Sequence, residues 1–332
     1  MTRRVTITDV ARAADVSVAT VSKVINGRYG VAQSTSTRVQ QVIEELGYES
    51  SLVARSLRSH RTHVIGILVA EFEPFSTEIL KGAAAAVSDA GYELLAYTGA
   101  TVSGGTGWER RYLSRLSGTL IDGAVLVTPS VVDVDAQIPV VAVDPHTGPS
   151  GFPTVDSDNL TGARLATEHL IGLGHRRIAF LAGRPDLESS HLRETGYRDA
   201  LAAAGLPVDE ALIRVGDYRS EATRAPMSEL LGLADRPTAV FAANDISAIA
   251  AMEVARAAGL RVPEDLSVVG FDDVPEAAGA TPPLTTVRQP IQRLGAEAVT
   301  LLLALLNGER PATTHVRLDT TLVRRGSTAE PR

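Results

Sequence analysis

The sequence predicts a small all-α head over residues 1–50, followed by an α/β body made of two doubly wound parallel-sheet lobes. Three observations carry that prediction. The first 50 residues hold three short helical patterns separated by turn residues and no strand pattern. From Val64 onward, short near-continuous apolar runs alternate with amphipathic helical stretches, as parallel strands buried on both faces require. The body holds too many such runs for one comfortable sheet, so two sheets with a cleft between them are expected.

In the head, Thr6-Ile7-Thr8-Asp9 offers N-cap residues before Val10–Ala14. Asp15-Val16-Ser17 is a tight turn, with Ser17 placed to cap a second helix, Val18–Ile25, that Asn26-Gly27 ends. A third helix follows a Ser34-Thr35 cap, repeats Val39, Val42, Ile43 and Leu46 at helical spacing, and stops at Gly47. Ile7, Val10, Val21, Val24, Val42 and Leu46 are the expected core. In the body, strands are expected at Val64–Val69, Tyr92–Tyr97, Gly123–Val127, Val140–Val143, Arg177–Ala182, Ala239–Ala242 and Leu266–Gly270. Helices are expected at Ser76–Ala90, Trp108–Leu116, Asn159–Leu173, Glu188–Ala204, Ser220–Leu231 and Ile246–Ala258. Ligands in such folds bind beyond the carboxyl ends of the strands, which selects the loops to inspect.

Composition narrows the classes. With 44% apolar and 21% charged residues the chain reads as an ordinary globular protein. It has no cysteine, which excludes disulfides, thiolate catalysis and cysteine metal sites and fits a reducing cytoplasm. Met1–Val10 has no apolar secretory core, and the most apolar run, Leu301–Leu306, is too short to span a bilayer, so neither export nor a membrane partner is expected. The net charge of −7 divides unevenly: residues 1–60 carry eight basic and five acidic groups, hence +3, and the rest carries −10. That asymmetry suggests a nucleic-acid-binding head on an acidic body, although a solvated helical surface accounts for +3 equally well.

Two helices joined by a short turn, the second rich in small residues, form a helix-turn-helix pattern whose second helix enters the major groove. Val18 and Ala19 suit apolar contacts such as a thymine methyl, and Lys23 suits a guanine edge or a phosphate. Thr20 and Ser22 suit phosphates, and Thr6, Ser17 and Asn26 complete the candidate DNA contacts of this segment. A small helical domain with no such partner is the competing reading of the spacing alone.

The run Thr6-Ile-Thr-Asp-Val-Ala-Arg-Ala-Ala-Asp-Val-Ser-Val-Ala-Thr-Val-Ser-Lys-Val-Ile-Asn-Gly27 resembles the head of the LacI/GalR family of bacterial regulators, as do Leu46-Gly-Tyr48 and Ala54-Arg-Ser-Leu-Arg58. The similarity continues to about residue 325. Asp15 stands where the family usually has Gly, and Lys23 where many members carry Arg. The resemblance implies a helix-turn-helix domain at 1–50 and a hinge helix and linker at 51–62. It implies an N-terminal lobe at 63–159 plus 290–318 and a C-terminal lobe at 160–289 plus 319–325, like type I periplasmic sugar-binding proteins, with a disordered tail at 326–332. It gives Ala54, Leu57 and Arg58 to DNA, with Leu57 wedged between base steps of the minor groove.

The same resemblance singles out strand-end loops of the body. Glu73-Pro74-Phe75 stands where the family often has Asn-Pro-Phe, and Phe75 offers a flat face to a sugar ring. Arg193 opens an Arg-x-x-Gly-aromatic motif ending at Tyr197 and can donate paired hydrogen bonds to vicinal hydroxyls or to an anionic group. Tyr218 supplies a second aromatic wall, Asn244 a donor and acceptor, Asp272 a carboxylate for sugar hydroxyls, and Asp144 a weaker candidate of that kind. Taken singly, strand-end Asp and Asn are turn or cap residues; their convergence on matching loops favours a neutral polyol pocket.

The expected function is a homodimeric repressor of carbohydrate-utilisation genes. It binds pseudo-palindromic double-stranded operator DNA and is controlled by a mono- or disaccharide, either as inducer or as co-repressor. A sugar-binding transport protein is the alternative, since the body alone would serve; residues 1–60 argue against it. Ser103-Gly-Gly-Thr-Gly107 lacks the Lys-Ser/Thr of a phosphate loop, the histidines lack zinc spacing, and no Gly-x-Ser-x-Gly appears, so no cofactor, metal or enzymatic step is expected.

Overall fold

The computed structural model describes residues 5–25, 29–48, 61–99, 107–117, 120–130, 136–148 and 151–332. The chain divides into two compact units, residues 1–62 and 63–332. In the first, α1 (Ile7–Ala13) opens on a capping box: Thr6 Oγ1 accepts from Asp9 N, and the Asp9 carboxylate accepts from Thr6 N at 2.9 Å. Asp15 takes the left-handed φ of 50° that its short polar side chain tolerates. Ser17 Oγ then accepts from Thr20 N at 3.1 Å, starting α2 (Val18–Ile25). The helix α3 (Gln33–Leu46) closes on Gly47 at φ 59°. Val10, Ala11, Ala14, Val21 and Val39 are the buried core, with Ile7, Val24 and Val42 packed at its edge.

Two head expectations are corrected. The third helix begins at Gln33 after an extended Ala32 that makes no side-chain cap bond, which puts Ser34 and Thr35 inside the first turn. Leu46 is 37% exposed rather than core. Left-handed Gly47 reverses the chain, and Tyr48 packs on the core instead.

The second unit carries two six-stranded sheets. The first contains β1 (Val64–Val69), β2 (Glu93–Thr98), β3 (Gly123–Val127), β4 (Val140–Val143), β5 (Thr154–Ser157) and β11 (His315–Leu318). Their order is β11-β5-β4-β3-β1-β2, all parallel. The second contains β6 (Ile178–Ala182), β7 (Ile213–Val215), β8 (Ala239–Ala242), β9 (Ser267–Asp272), β10 (Thr285–Arg288) and β12 (Thr321–Val323). Their order is β12-β10-β9-β8-β6-β7, parallel except for the antiparallel edge strand β12. Every residue of β1, β3, β4, β6, β8 and β9 is buried, because helices cover both faces.

The helices α4 (Pro74–Asp89), α5 (Trp108–Leu116) and α11 (Ile291–Leu306) accompany the first sheet. The second sheet has α6 (Asn159–Gly172), α7 (Glu188–Ala203), α8 (Ser220–Leu231), α9 (Asp245–Ala257) and the short α10 (Pro275–Gly279). The chain passes between the sheets three times, at Asp158, at Gln289-Pro290 and at Asp319-Thr320. These passages bond to one another: Asp158 N donates to Leu318 O at 2.9 Å and Thr320 Oγ1 to Asp158 O at 3.1 Å. Such adjacent crossings are hinges, where small φ/ψ changes move one lobe on the other.

The tail is not the disordered segment expected for 326–332. Ser327 is fully buried; its Oγ donates to Val268 O at 2.6 Å and accepts from Thr285 N at 2.8 Å. Ala329 N donates to Ser267 Oγ at 3.0 Å, while Ala329 O accepts from His175 Nε2 at 2.9 Å. The Gly-Ser-Thr composition reads as loop, but its backbone and hydroxyl groups find their partners along β9.

Candidate functional site

On the head, the side chains at the start of α2 stand outward. Ser17, Val18, Ala19 and Lys23 are exposed, Thr20 and Ser22 half-buried. Val18 is notable as a 39% exposed valine beside two hydroxyls, a surface shaped for an apolar contact flanked by polar ones. Thr6 is exposed at the start of α1, and Ser17 Oγ lies 2.9 Å from Thr20 Oγ1, so these hydroxyls cap helices as well as face outward. Tyr29, fully exposed, was not singled out from the sequence because no periodicity marks it. Asn26, Ala54, Leu57 and Arg58 lie outside the described residues.

In the body, the carboxyl ends of strands from both sheets converge. Six non-glycine residues there adopt positive φ: Thr128, Asp144, Asp217, Tyr218, Asp272 and Asp273. Left-handed backbone at such residues persists only where surrounding contacts over-determine it, and it clusters at ligand sites. Arg193, on α7, is 4% exposed. Its Nε donates to Asn159 Oδ1 at 2.8 Å, and its Nη1 donates to Ala243 O and lies 3.5 Å from Asp272 Oδ1. The guanidinium stacks 3.9 Å from the Phe271 ring centroid and 5.6 Å from that of Tyr218. Among the described residues its Nη2 donates no hydrogen bond.

Tyr218 lies flat over Gly183, where a Cβ would come 2.0 Å from the ring; only glycine admits that approach. Its hydroxyl is buried without a hydrogen-bond partner among the described residues, a group that a ligand hydroxyl would satisfy. Asn244 caps a helix and supports the Tyr218 loop. Its Oδ1 caps α9 by accepting from Ser247 N at 3.0 Å, and its Nδ2 donates to Tyr218 O at 3.1 Å. It thereby holds the strained Tyr218 loop in place.

The electrostatics are dominated by buried carboxyls near Arg193. Burial pushes Asp272 up to about 7; Arg193 and Gln289 draw it back down, while Glu73 and Asp144 lift it further. Burial likewise raises Asp144, with Arg193 opposing it. Asp245, buried beside Asp272, is raised well above the ordinary range by desolvation and then by that neighbour. Asp245 is a tie rather than a lining group. Its Oδ2 accepts from Val274 N at 2.9 Å and its Oδ1 from Thr286 Oγ1, which fixes the loop after β9.

The structure therefore brings Asp144, Arg193, Tyr218 and Asp272 together, with Asn244 behind Tyr218. Phe75 sits at the start of α4, half-buried against the core of the first lobe; Glu73, the helix N-cap, is the residue whose charge reaches Asp272. Sequence reasoning missed Asn159, Ser189 and Gln289. Gln289 Nε2 donates to Asp272 Oδ1 at 2.6 Å, and Ser189 lies beside Asp144 and Tyr218. Asn159 and Gln289 flank the lobe crossings, and only the topology reveals that. Two polar bridges join the lobes at the rim: Glu71 with Arg219 at 2.6 Å, and His146 Nδ1 with Asp186 Oδ2 at 3.2 Å, beside Glu188 N donating to His146 O at 2.8 Å.

Comparison with known proteins agrees with both units. Residues 6–51 match the bacterial regulatory proteins of the lacI family, and residues 167–328 the periplasmic binding protein-like domain. The HTH-type transcriptional regulator CelR of Thermobifida fusca is 39% identical over 345 residues, 98% of either chain. The HTH-type transcriptional repressor CytR of Escherichia coli (strain K12) is 35% identical, covering 97% of this chain and 96% of its own. Among solved structures, a transcriptional regulator CelR–cellobiose complex gives a TM-score of 0.73 at 38% identity, over 98% of this chain and 100% of that one. The lac repressor dimer bound to operator and the anti-inducer ONPF gives 0.87 at 28% identity, again over 98% and 100%. No helix among the described residues is long and apolar enough to cross a membrane. A helix-turn-helix unit ahead of a two-sheet body, aligned almost end to end with such regulators, makes this chain a member of the LacI family of bacterial transcriptional regulators.

Proposed function

We propose that the protein is a homodimeric repressor that binds a pseudo-palindromic operator through Val18, Ala19, Thr20, Ser22 and Lys23, positioned by Thr6 and Ser17. Asn26, Ala54, Leu57 and Arg58 add contacts on the same DNA. Operator affinity is set by a neutral mono- or disaccharide held by Asp144, Arg193, Tyr218 and Asp272, with Asn159 and Gln289 fixing the polar groups, Asn244 the Tyr218 loop and Phe75 lining the first-lobe side. The working divisions are 1–50, 51–62, 63–159 plus 290–318, and 160–289 plus 319–325, the tail 326–332 joining the last. The protein acts in the cytoplasm on chromosomal DNA, without a cofactor or a catalytic step.

The observation that carries the ligand class is the charge balance around Arg193. Its Nε and Nη1 are already engaged, Asp144 and Asp272 face it, and Glu73 adds its charge near Asp272. An anionic ligand would meet that acidic field, whereas a polyol offers O–H donors to the carboxylates and acceptors to Nη2 and the Tyr218 hydroxyl. The CelR relative's complex contains cellobiose, which makes cellobiose the first probe. Titrating a labelled operator fragment with and without cellobiose, then with other mono- and disaccharides, tests the reading. Any operator affinity change must be matched by an equal change in sugar affinity. Operator binding that no saccharide alters refutes it.

The same site sets a pH dependence. A hydroxyl donor favours the ionised form of Asp272, whose carboxyl is held up at about 7. Ligand binding therefore lowers that pKa and releases a proton, so affinity rises with pH across about 5.5 to 8 and levels above it. Calorimetric titration in buffers of different ionisation enthalpy reads the proton release directly. Affinity that is flat or falling over that window removes Asp272 as an ionised acceptor.

A further inference from the structure

The C-terminal tail holds a group whose reach extends to the ligand site. We infer that Arg325 is a positioning residue for the ligand-facing carboxylate of Asp272, acting through Asp273; the inference rests on the saccharide reading given above. Asp272 and Asp273 stand at φ 117° and 60°, two consecutive non-glycine residues in left-handed backbone. Strain of that kind persists only where surrounding contacts hold it.

The contacts are a clamp on Asp273. Arg325 Nη2 lies 2.6 Å from Asp273 Oδ1, and Arg288 Nε lies 2.6 Å from Asp273 Oδ2, so each carboxylate oxygen has its own cation. The Asp273 side chain is 7% exposed and that of Arg325 18%, against 55% for Arg288. The Arg325 bond is the shielded one and contributes more than an exposed pair. Arg325 is itself fixed: its Nη1 donates to Leu284 O at 2.8 Å and its backbone N to Thr285 Oγ1 at 2.9 Å. Two residues further on, buried Ser327 ties the tail between Val268 and Thr285. The tail thus runs from β9 to the loop that β9 feeds. On the other side of the strained pair, Val274 N is held by Asp245 and Asp272 O accepts from Gln289 N at 3.2 Å. Without Arg325, Asp273 keeps only the exposed Arg288 contact, and the strained Asp272 loses its shielded support on that side.

Arg325→Met removes the cation while keeping most of the side chain's bulk, and Arg325→Lys restores a charge at that place. Two readouts are taken on the full-length chain: the Kd for cellobiose, or for whichever saccharide the panel identifies, and hydrogen exchange at the Val274 and Gln289 amides. The expected result for Arg325→Met is a Kd raised about tenfold, faster exchange confined to those two amides, and unchanged operator affinity without ligand. Arg325→Lys recovers most of both losses. An unchanged Kd with wild-type exchange overturns the inference, as does exchange accelerated throughout the second sheet, which marks a general stabilising role. If the wild type binds no saccharide, the ligand reading fails, and the exchange arm decides on the clamp by itself: local acceleration upholds it, wild-type rates refute it.

Discussion

Arg193→Met is expected to abolish the ligand response while leaving operator binding intact. The guanidinium charge draws both Asp144 and Asp272 down, against the lift that burial gives each of them. Truncating one partner of a buried, hydrogen-bonded charge pair costs roughly 2–5 kcal/mol. At about 1.4 kcal/mol per tenfold, saccharide affinity falls by about 30-fold at least and by a thousandfold or more at the upper end. Stability changes too, and with a determinable sign. Asp272 already has a folded pKa above its unfolded value, so it subtracts stability progressively as pH rises from about 4 towards 7. Removing Arg193 raises that folded pKa further. The variant's deficit therefore grows as pH passes 7 and shrinks towards pH 5, where a protonated Asp272 needs no cation. Thermal unfolding at pH 5 and pH 8, with operator titration alongside, checks both halves. A deficit equal at both pH values would mean that Arg193 serves as packing rather than as the counter-charge of the cleft.

How much of this was legible beforehand depended on whether a residue's role is local. The turn at Asp15, the Ser17 cap and the Gly47 stop are legible in the sequence because each depends on its own backbone and the next three or four residues. The buried strands β1, β3, β4, β6 and β8 announced themselves as unbroken apolar runs. The short strands β5, β7, β10, β11 and β12 did not, since Thr, Asp, Arg and His occupy them; Asp156 on β5, for example, is satisfied by Arg317 and His315 of β11 across 160 residues of sequence, at 3.0 and 2.8 Å. The site divides the same way. Arg193, Tyr218 and Asp272 stand out by residue type at strand ends or on the helix that follows one. Asn159 and Gln289 acquire meaning only when the crossings between lobes bring them against Arg193 and Asp272. Asn244 was placed at the correct loop, but the helix it caps and the Tyr218 carbonyl take its hydrogen bonds.

The longest-range feature of the fold gives the second large effect, and it turns on two glycines. In a helix interior, Gly→Ala ordinarily stabilises by about 0.5–1 kcal/mol through reduced backbone entropy in the unfolded chain. At Gly82 on α4 and Gly295 on α11 the sign is expected to reverse. A Cβ on Gly82 would lie 1.7 Å from Gln292 O, and one on Gly295 2.2 Å from Ile79 O, so each helix rests its backbone on the other's glycine. The obstructing atoms are main-chain carbonyls and cannot swing aside as a side chain would. The helices must separate, and with them the packing of Ile79, Ala83, Leu294, Ala298 and Leu302 under the first sheet. Overpacking of a yielding core costs about 1–3 kcal/mol; a backbone-to-backbone clash belongs at or beyond the top of that range and outweighs the propensity gain. At about 2–4 °C per kcal/mol for a domain of this size, Gly82→Ala and Gly295→Ala should each unfold about 6–12 °C below wild type. Gly172→Ala, at the exposed end of α6 with nothing within 4 Å, should hold or gain stability. If all three variants melt together, the close approach of α4 and α11 is not what holds the first lobe in shape.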